Sequence, residues 1–477
     1  MITLILERNV ILWTESSPTK KLGRDRDMAD VTIVNSGLLL HRTDIPTGPL
    51  IVVSVLEKAG FVVEFRDYQG VAIPKRPSPR TFKAFLDDCA DLLGISVMSN
   101  SLPTVLGAVR LLKEEKPWIK VFLGGPGCRE LAFDILQKFP VDAIVLGEGE
   151  ITAPELVMAL KNDSDLRRVA GIAYKEEDQV IFTKERPLID DLDSIPFPAY
   201  HHIKLESYNN VATVMTARGC PFRCKFCSAH SVPQRKMRYR SIPSIMEELS
   251  LLAPQARYVA FLDDTFILSK ARALEIARNV QNRFGLRYTC NAKISLMDDD
   301  WLKALADTDN FLVFYGVESG SNRVLERIGK GHTLEEARKV IRKTADSIEK
   351  VRTSYIWGYP FETLEDFFDT AMSLRQDMQQ PNVLSQMSLL SPLPGTEFTE
   401  EFKDIMSFSP AIQSRAGGLP VNENISDYPE LIELITGNPG LFSSFYYFAH
   451  EGFESKFNAI KRIDWIYDDQ KKRAYGY

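Results

Sequence analysis

From the N-terminus to about residue 185, short apolar runs alternate with longer stretches in which apolar residues recur at helical spacing. The apolar runs predict buried strands at residues 61–65, 92–98, 119–125 and 143–147. The stretches between them predict helices at residues 49–60, 81–92, 102–116 and 131–139. Continuously apolar strands are typical of a parallel sheet that is covered by helices on both faces. The pattern therefore predicts a doubly wound α/β domain that ends in a hairpin at residues 171–185.

A second alternation of strands and helices begins near residue 211 and has a longer period. Its strands are predicted at residues 211–217, 258–264, 287–294, 311–319, 351–358 and 383–392. Parallel strands with right-handed crossovers either spread into an open sheet or close into a barrel, and closure takes eight strands. Six units therefore predict an open, partial (β/α)6 barrel, with its chemistry at the carboxyl ends of the strands.

Two changes in composition mark the borders of these patterns. The acidic, proline-containing segment at residues 190–201 is typical of a linker, and after residue 400 the chain becomes rich in aromatic residues. A helical pattern at residues 429–448 is interrupted by the sequence Asn438-Pro439-Gly440. We therefore predict an N-terminal sheet domain at residues 1–189, a linker at 190–205, the partial barrel at 206–400 and a helical C-terminal domain at 401–477.

Composition excludes several classes of protein. Hydrophobic residues make up 44% of the 477 residues and charged residues 26%, which excludes a disordered or fibrous chain. The net charge of −6 gives no overall attraction to nucleic acid or to an anionic membrane. No apolar run reaches the roughly 18–20 residues that span a bilayer, and the N-terminus lacks the features of a secretion signal. We expect a cytoplasmic protein that acts on a small molecule.

Three of the six cysteines fall within eight residues, in the sequence TARGCPFRCKFCSAH directly after the first predicted barrel strand. Thiolates at the spacing C-x3-C-x2-C can bind three irons of one 4Fe–4S cluster and leave the fourth iron open. The alternative is a zinc site completed by His230. The position of the cysteines at a strand end of a six-unit domain favours iron and sulfur.

The motif C-x3-C-x-aromatic-C resembles the signature of the radical S-adenosylmethionine superfamily. The resemblance implies that Cys220, Cys224 and Cys227 are the cluster ligands and that Phe226 borders the adenine. It also implies that S-adenosylmethionine binds the open iron and is cleaved to a 5′-deoxyadenosyl radical. The electron would come from a donor such as flavodoxin or ferredoxin.

Two further strand ends match the same family. The sequence FLDDTF ends the second barrel strand, and the resemblance implies that Asp263 or Asp264 binds the ammonium group of the cosubstrate. The sequence GVESGS ends the fourth strand, and Glu318 resembles the acid that faces the ribose. In both places the alternative is a helix cap, because an acid or a serine before a helix accepts from free N–H groups.

The N-terminal half resembles the cobalamin-binding domain that precedes the radical domain in one branch of the superfamily. The matching stretches are residues 45–67, 91–100, 121–127 and 142–150. The resemblance implies that the strand ends at Ser96, Gly124, Gly125 and Gly147 leave room for the nucleotide tail of cobalamin. None of the six histidines lies in the cobalt-ligating motif D-x-H-x-x-G, so we expect binding without that histidine. The alternative is a sheet domain that kept its fold without the cofactor.

These features support a first hypothesis and several rivals. The first is a cobalamin-dependent radical enzyme that methylates an unactivated carbon or phosphorus of a small metabolite or natural-product intermediate. Close variants catalyse a rearrangement or work without cobalamin. A hypothesis of another class is a non-catalytic zinc or nucleotide-binding scaffold. Iron and sulfide content separates the enzymes from the scaffold, and corrinoid content separates the enzymes from each other.

Overall fold

A computed structural model of the chain describes residues 29–37, 44–70, 78–228, 236–413 and 428–461. Its N-terminal half forms one seven-stranded sheet. The strands are β1 (Val31–Asn35), β2 (Val63–Asp67), β3 (Leu92–Ser96), β4 (Lys120–Gly124), β5 (Ala143–Val145), β6 (Ile172–Glu176) and β7 (Gln179–Phe182). Their order is β2-β1-β3-β4-β5-β6-β7; the first five are parallel, and β6 and β7 form an antiparallel hairpin. The direction of the strand order reverses at β1, and ligands of such sheets bind at the carboxyl ends beside that point.

Within the described part of this half, five helices cover the sheet and confirm the doubly wound prediction. They are α1 (Thr47–Lys58), α2 (Pro79–Leu86), α3 (Leu102–Glu115), α4 (Ala132–Lys138) and α5 (Gly149–Lys161). Two elements, β1 and α5, lie outside the predicted strands and helices. The apolar run of β1 is short and contains Thr32, whose hydroxyl donates to Glu64 at 3.0 Å. The helix α5 contains Pro154, a residue that interrupts a helical pattern in the sequence.

The second sheet has six parallel strands. The strands of this half, with one short antiparallel pair, are β8 (Val211–Val214), β9 (Ala217–Arg218), β10 (Arg238–Tyr239), β11 (Tyr258–Phe261), β12 (Tyr288–Ala292), β13 (Asn310–Glu318), β14 (Lys350–Trp357) and β15 (Val383–Leu389). The six-stranded sheet has the order β15-β14-β13-β12-β11-β8, so successive strands are neighbours. The two edge strands, β8 and β15, do not pair with each other. The prediction of an open, six-stranded partial barrel is confirmed.

Helices connect the barrel strands, and several begin at side-chain caps. They are α6 (Ile242–Leu252), α7 (Lys270–Phe284), α8 (Asp299–Asp307), α9 (Asn322–Arg327), α10 (Leu334–Ser347), α11 (Leu364–Asp377) and α12 (Glu397–Phe402). Thr333 with Glu336 and Thr363 with Asp366 form reciprocal capping boxes at the starts of α10 and α11. These caps fix where the loop before each helix ends, and those loops line the carboxyl ends of the strands.

The C-terminal segment packs against both sheets. Its elements are β16 (Met406–Ser407), α13 (Pro410–Gln413), α14 (Pro429–Thr436), β17 (Tyr447–Phe448) and a helix at 453–461. Phe442 and Phe445 lie in the core of the N-terminal sheet, whereas Phe453 packs on Trp357 of the barrel. In the described ranges the segment therefore consists of helices and one short strand pair, and its aromatic residues contribute to the cores of the two preceding domains. No helix in the described ranges is long and apolar enough to cross a bilayer.

Candidate cofactor site between the two sheets

The three clustered cysteines lie on a loop whose base is the antiparallel pair β9 and β10. We call residues 219–228 the cysteine loop. Arg218 in β9 lies directly opposite Arg238 in β10, so the chain leaves and returns at the same point. Gly219 begins the loop with φ +101°, and a Cβ there would lie 2.6 Å from the Lys236 carbonyl oxygen. Only glycine fits such a position, and the three cysteines that follow are half-buried.

Contacts from the barrel hold the cysteine loop over the ends of β13 and β14. The Lys225 N–H donates to the Ile328 carbonyl at 3.2 Å, and the Cys227 N–H donates to the Cys224 carbonyl at 3.1 Å. The Phe226 ring meets the Tyr359 ring edge to face, with 6.4 Å between centroids. The predicted adenine-facing residue is therefore anchored against the loop that follows β14.

The spacing of the thiols favours a cluster over a single zinc ion. Within the described ranges, the one group of three or more ligand atoms that all lie within 4.8 Å of one another comes from Glu57, His201 and His202, not from the cysteines. Ligand atoms at about 2.0–2.3 Å from one zinc ion lie less than about 4 Å from each other. The wider spread of the cysteine thiols suits ligands of separate irons. His230, the zinc alternative, lies outside the described residues.

The two adjacent acids after β11 have different surroundings. Asp263 is buried and accepts from the Thr216 N–H at 2.6 Å, the Ala217 N–H at 3.2 Å and the Thr216 hydroxyl. It thereby fixes the turn that leads into β9 and the cysteine loop. Asp264 is exposed, and none of the hydrogen bonds and ion pairs found in the described ranges involves its carboxylate. Desolvation by the surrounding protein raises the pKa of both acids.

Glu318 ends β13 in a backbone conformation that side chains rarely adopt. Its φ is +73°, and the register of β13 against β14 shifts between Gly316 and Glu318. The buried carboxylate accepts from Lys330 Nζ at 2.7 Å. A Cβ on Gly316 would lie 2.3 Å from a Glu318 oxygen, so this glycine makes room for the pair. Backbone strain of this kind is concentrated at functional sites.

Four polar residues near the cysteine loop were not predicted from the sequence. Lys293 donates to the Lys330 carbonyl at 2.5 Å, and its Nζ lies 4.3 Å from the centre of the Phe222 ring. Desolvation, with Lys330 and Lys293 nearby, lowers the pKa of His332 to about 3, so this histidine is neutral at pH 7. The Tyr359 hydroxyl and a ring nitrogen of His332 are buried without a hydrogen-bond partner in the described ranges. The sequence Gly329-Lys330-Gly331-His332, whose two glycines both have positive φ, is the pattern that could have indicated two of the four.

A fully buried ion pair between Lys456 and Glu362 lies at the loop that follows β14. Lys456, from the C-terminal helix, donates to the Glu362 carbonyl at 2.5 Å and lies 3.1 Å from its carboxylate. The side chains are 1% and 0% exposed. Glu362 also accepts from the Gly358 N–H at 3.0 Å, so the C-terminal segment fixes the loop that follows β14.

The residues predicted to face cobalamin lie along the carboxyl edge of the N-terminal sheet. Ser96 ends β3, Gly124 ends β4, and Gly147 follows β5. A Cβ on Gly147 would meet no atom within 4 Å, whereas one on Gly125, where φ is +93°, would lie 2.9 Å from the Val97 carbonyl oxygen. Gly125 is therefore required by the backbone, and Gly147 leaves open space at the edge.

An ion-pair network joins this edge to the cysteine loop. Arg218 donates to Glu148 at 2.8 Å and to Glu150 at 2.5 Å, and Arg238 donates to Glu148 at 2.8 Å. The carboxyl edge of the first sheet thus faces the cysteine loop of the second. Three thiols on one loop, orphaned buried polar atoms beside them and an open glycine edge opposite fit a cluster, S-adenosylmethionine and cobalamin.

Comparison with known proteins agrees with this geometry. The sequence profile of the Radical SAM superfamily matches residues 214–374, and that of the B12 binding domain matches residues 43–157. An uncharacterized methyltransferase of Pyrococcus horikoshii is 31% identical over 319 residues, which are 65% of this chain and 69% of the relative. The chain belongs to the radical S-adenosylmethionine superfamily. It belongs to the branch with an N-terminal cobalamin-binding domain, as the two resemblances predicted.

Two more comparisons extend the match over most of the chain. The cytidylyl-2-hydroxyethylphosphonate methyltransferase of Streptomyces wedmorensis is 27% identical over 78% of this chain and 81% of its own. The radical S-adenosylmethionine methyltransferase TsrM from Kitasatospora setae has the same fold, with a TM-score of 0.66 at 18% identity over 90% of this chain and 88% of its own. The radical domain uses a 4Fe–4S cluster and S-adenosylmethionine, and the N-terminal domain binds cobalamin.

Proposed function

We propose that this radical S-adenosylmethionine enzyme methylates an unactivated carbon or phosphorus of a small metabolite or natural-product intermediate. When bound, the cluster and S-adenosylmethionine supply a 5′-deoxyadenosyl radical, and cobalamin supplies the methyl group. The observation that carries the proposal is the contact between Arg218 and Glu148, which joins the cysteine loop to the edge at Gly147. Two cofactors that serve one substrate must both lie within reach of it.

Different residues of the cysteine loop and its surroundings hold the cluster and the parts of S-adenosylmethionine. Cys220, Cys224 and Cys227 bind three irons, and Phe226 borders the adenine of the cosubstrate. Glu318 faces the ribose hydroxyls, held in place by its ion pair with Lys330.

Of the two acids after β11, Asp264 is the better candidate for the ammonium group of the cosubstrate. Asp263 uses its oxygens to hold Thr216 and Ala217, so it supports the site without facing the ligand. Asp264 makes no comparable contact in the described ranges.

The cobalamin site is formed by the carboxyl edge of the N-terminal sheet. The open edge at Ser96, Gly124 and Gly147 accommodates the nucleotide tail, and the backbone turn at Gly125 shapes this edge. The chain lacks the D-x-H-x-x-G motif, so no histidine in that motif binds the lower face of cobalt.

The substrate class rests on two kinds of support. The negative net charge disfavours nucleic acid as the substrate. Two relatives with matching domains are named as methyltransferases, and the name of one specifies a small phosphonate. The electron that starts the reaction comes from a small donor protein such as flavodoxin or ferredoxin.

Reconstitution tests the proposal directly. Protein is first loaded with iron, sulfide and hydroxocobalamin. It is then incubated with a reductant, with a metabolite extract of the cells that naturally contain the protein, and with S-adenosylmethionine whose methyl group is deuterated. We expect stoichiometric corrinoid, a cob(II)alamin spectrum without nitrogen splitting, and a deuterated small molecule in mass spectra. The Cys224→Ala variant is the control, because it keeps the cobalamin domain and loses the cluster.

Three results would contradict parts of the proposal. Cleavage of S-adenosylmethionine without any retained corrinoid would favour a cobalamin-independent enzyme. Retained corrinoid with 5′-deoxyadenosine but no transferred label would favour a rearrangement. Axial nitrogen splitting in the cob(II)alamin spectrum would show that the dimethylbenzimidazole tail or a histidine binds cobalt, and it would refute binding with the tail displaced and no histidine in its place.

A further inference from the structure

The ion pairs between the two sheets connect the two cofactor-binding segments. Gly147, at the open cobalamin edge, is followed in the chain by Glu148. Glu148 binds Arg218, and Arg218 is followed by Gly219 and Cys220. One side-chain contact and three peptide bonds therefore separate the cobalamin edge from the first cluster ligand.

Both arginines of this network sit at the base of the cysteine loop. Arg218 and Arg238 are directly opposed on the β9–β10 pair, where like charges repel. Glu148 accepts from both, one arginine on each oxygen, at 2.8 Å. The base of the loop is therefore closed by a carboxylate that belongs to the other domain.

The network is buried and is held on both sides. The side chains of Arg238 and Glu148 are 3% and 14% exposed. Glu148 also accepts from the Ile189 N–H at 2.8 Å, and Arg238 donates to the Ile189 carbonyl at 2.6 Å, so the residue directly before the linker is held at the same point. Glu150 adds a second contact to Arg218 at 2.5 Å, which makes Arg218 bind two acids at once.

This arrangement is poorly suited to stability alone. Buried ion pairs are weak contributors to stability, since desolvation offsets most of their attraction. Here Glu150 Oε2 and Arg238 Nε are also buried without partners in the described ranges. A planar guanidinium that binds two carboxylates does, however, fix direction and distance closely.

We propose that Glu148, Glu150, Arg218 and Arg238 are positioning residues that set the distance between cobalamin and the iron–sulfur cluster. The network makes the cysteine loop move as one body with the carboxyl edge of the cobalamin domain. Both cofactors thereby keep a fixed geometry toward one substrate. This inference rests on the proposed function, since it requires both cofactors in one site.

The test measures that distance without any substrate. Protein loaded with both cofactors is poised so that the cluster is reduced and cobalamin is in the cob(II)alamin state, which gives two unpaired spins. Their dipolar coupling in electron paramagnetic resonance falls with the cube of the distance. The Glu148→Gln variant should show weaker and more widely distributed coupling than the wild type, at unchanged iron and corrinoid content.

The matched control is Glu155→Gln. Glu155 lies on the same helix α5 and pairs with Arg186, which belongs to the N-terminal half, so this variant should keep the wild-type coupling. If Glu148→Gln loses a cofactor, Glu150→Gln is measured in its place. This variant removes only the ion pair between Glu150 and Arg218 and should also weaken the coupling. The inference is overturned if Glu148→Gln with both cofactors bound shows the wild-type coupling. If Glu148→Gln does not retain both cofactors, the wild-type coupling in cofactor-loaded Glu150→Gln overturns it. Absence of corrinoid from the wild type would instead refute the proposed function.

Discussion

Asp366 connects the two loops that follow β13 and β14, and its removal gives a measurable loss of stability. Its carboxylate accepts from the Ser321 hydroxyl at 2.5 Å, from the Thr363 N–H and hydroxyl at 2.8 Å each, and from Arg323. Desolvation raises the pKa of this acid, but the contacts to Arg323, Ser321 and Thr363 outweigh it and lower the pKa from 3.8 to about 2. The charged form is therefore favoured in the folded protein.

The size of the effect follows from linkage. A pKa lowered from 3.8 to about 2 corresponds to about 2–3 kcal/mol of stability, at about 1.4 kcal/mol for each pKa unit. The side chain is 10% exposed, so solvent screening reduces this little. Because the folded-state pKa is the lower one, the contribution is complete above about pH 5 and is lost as the pH falls from about 4 to 2.

The assay compares Asp366→Asn with the wild type by urea denaturation of the cluster-free protein, followed by circular dichroism. We expect Asp366→Asn to lose about 2–3 kcal/mol at pH 7 and at pH 5, and about half as much at pH 3. Asp369→Asn, an exposed acid on the same helix α11, is the control and should change stability by less than about 0.5 kcal/mol. Equal stability of the two variants at pH 7, or a difference that does not shrink at pH 3, would refute the reasoning.

Three further predictions concern the cluster, the cosubstrate and the barrel core. Replacing any one cysteine of the cysteine loop with Ala should remove most of the iron and all cleavage of S-adenosylmethionine. The control Cys89→Ala should keep both. Full iron content in all three loop variants would contradict the ligand assignment. Glu318→Gln should weaken S-adenosylmethionine binding at least about tenfold in equilibrium dialysis, because it removes the charged acceptor of a buried hydrogen bond from the ribose at a cost of roughly 2–5 kcal/mol, and iron content should not change. Normal affinity would place the ribose elsewhere. Desolvation raises the pKa of Asp377 to about 6 despite hydrogen bonds from Tyr355 and Thr353, so this acid costs stability as the pH rises from about 4 to 6. Asp377→Asn should therefore be at least as stable as the wild type at pH 8, and a large loss in thermal midpoint there would contradict this.

The fold class and the chemistry of the cluster could be predicted from the order of the residues alone. Strands and helices are read from periodicities of neighbouring residues, and the motif around Cys220, Cys224 and Cys227 lies on one short loop. Both depend on residues that are close in the chain, so they are visible without a structure. The element β1 escaped prediction because its apolar run is short, and α5 escaped because Pro154 interrupts its pattern.

The contacts between side chains at different strand ends could not be predicted in this way. Lys330 reaches Glu318, and Asp263 accepts from the Thr216 N–H. Arg218 meets Glu148 across 70 residues of chain. Such contacts depend on how two sheets are placed against each other, and no local pattern records that placement. The sequence therefore indicates which cofactors the chain uses, and the packing of the two domains brings the cysteine loop to the carboxyl edge of the first sheet.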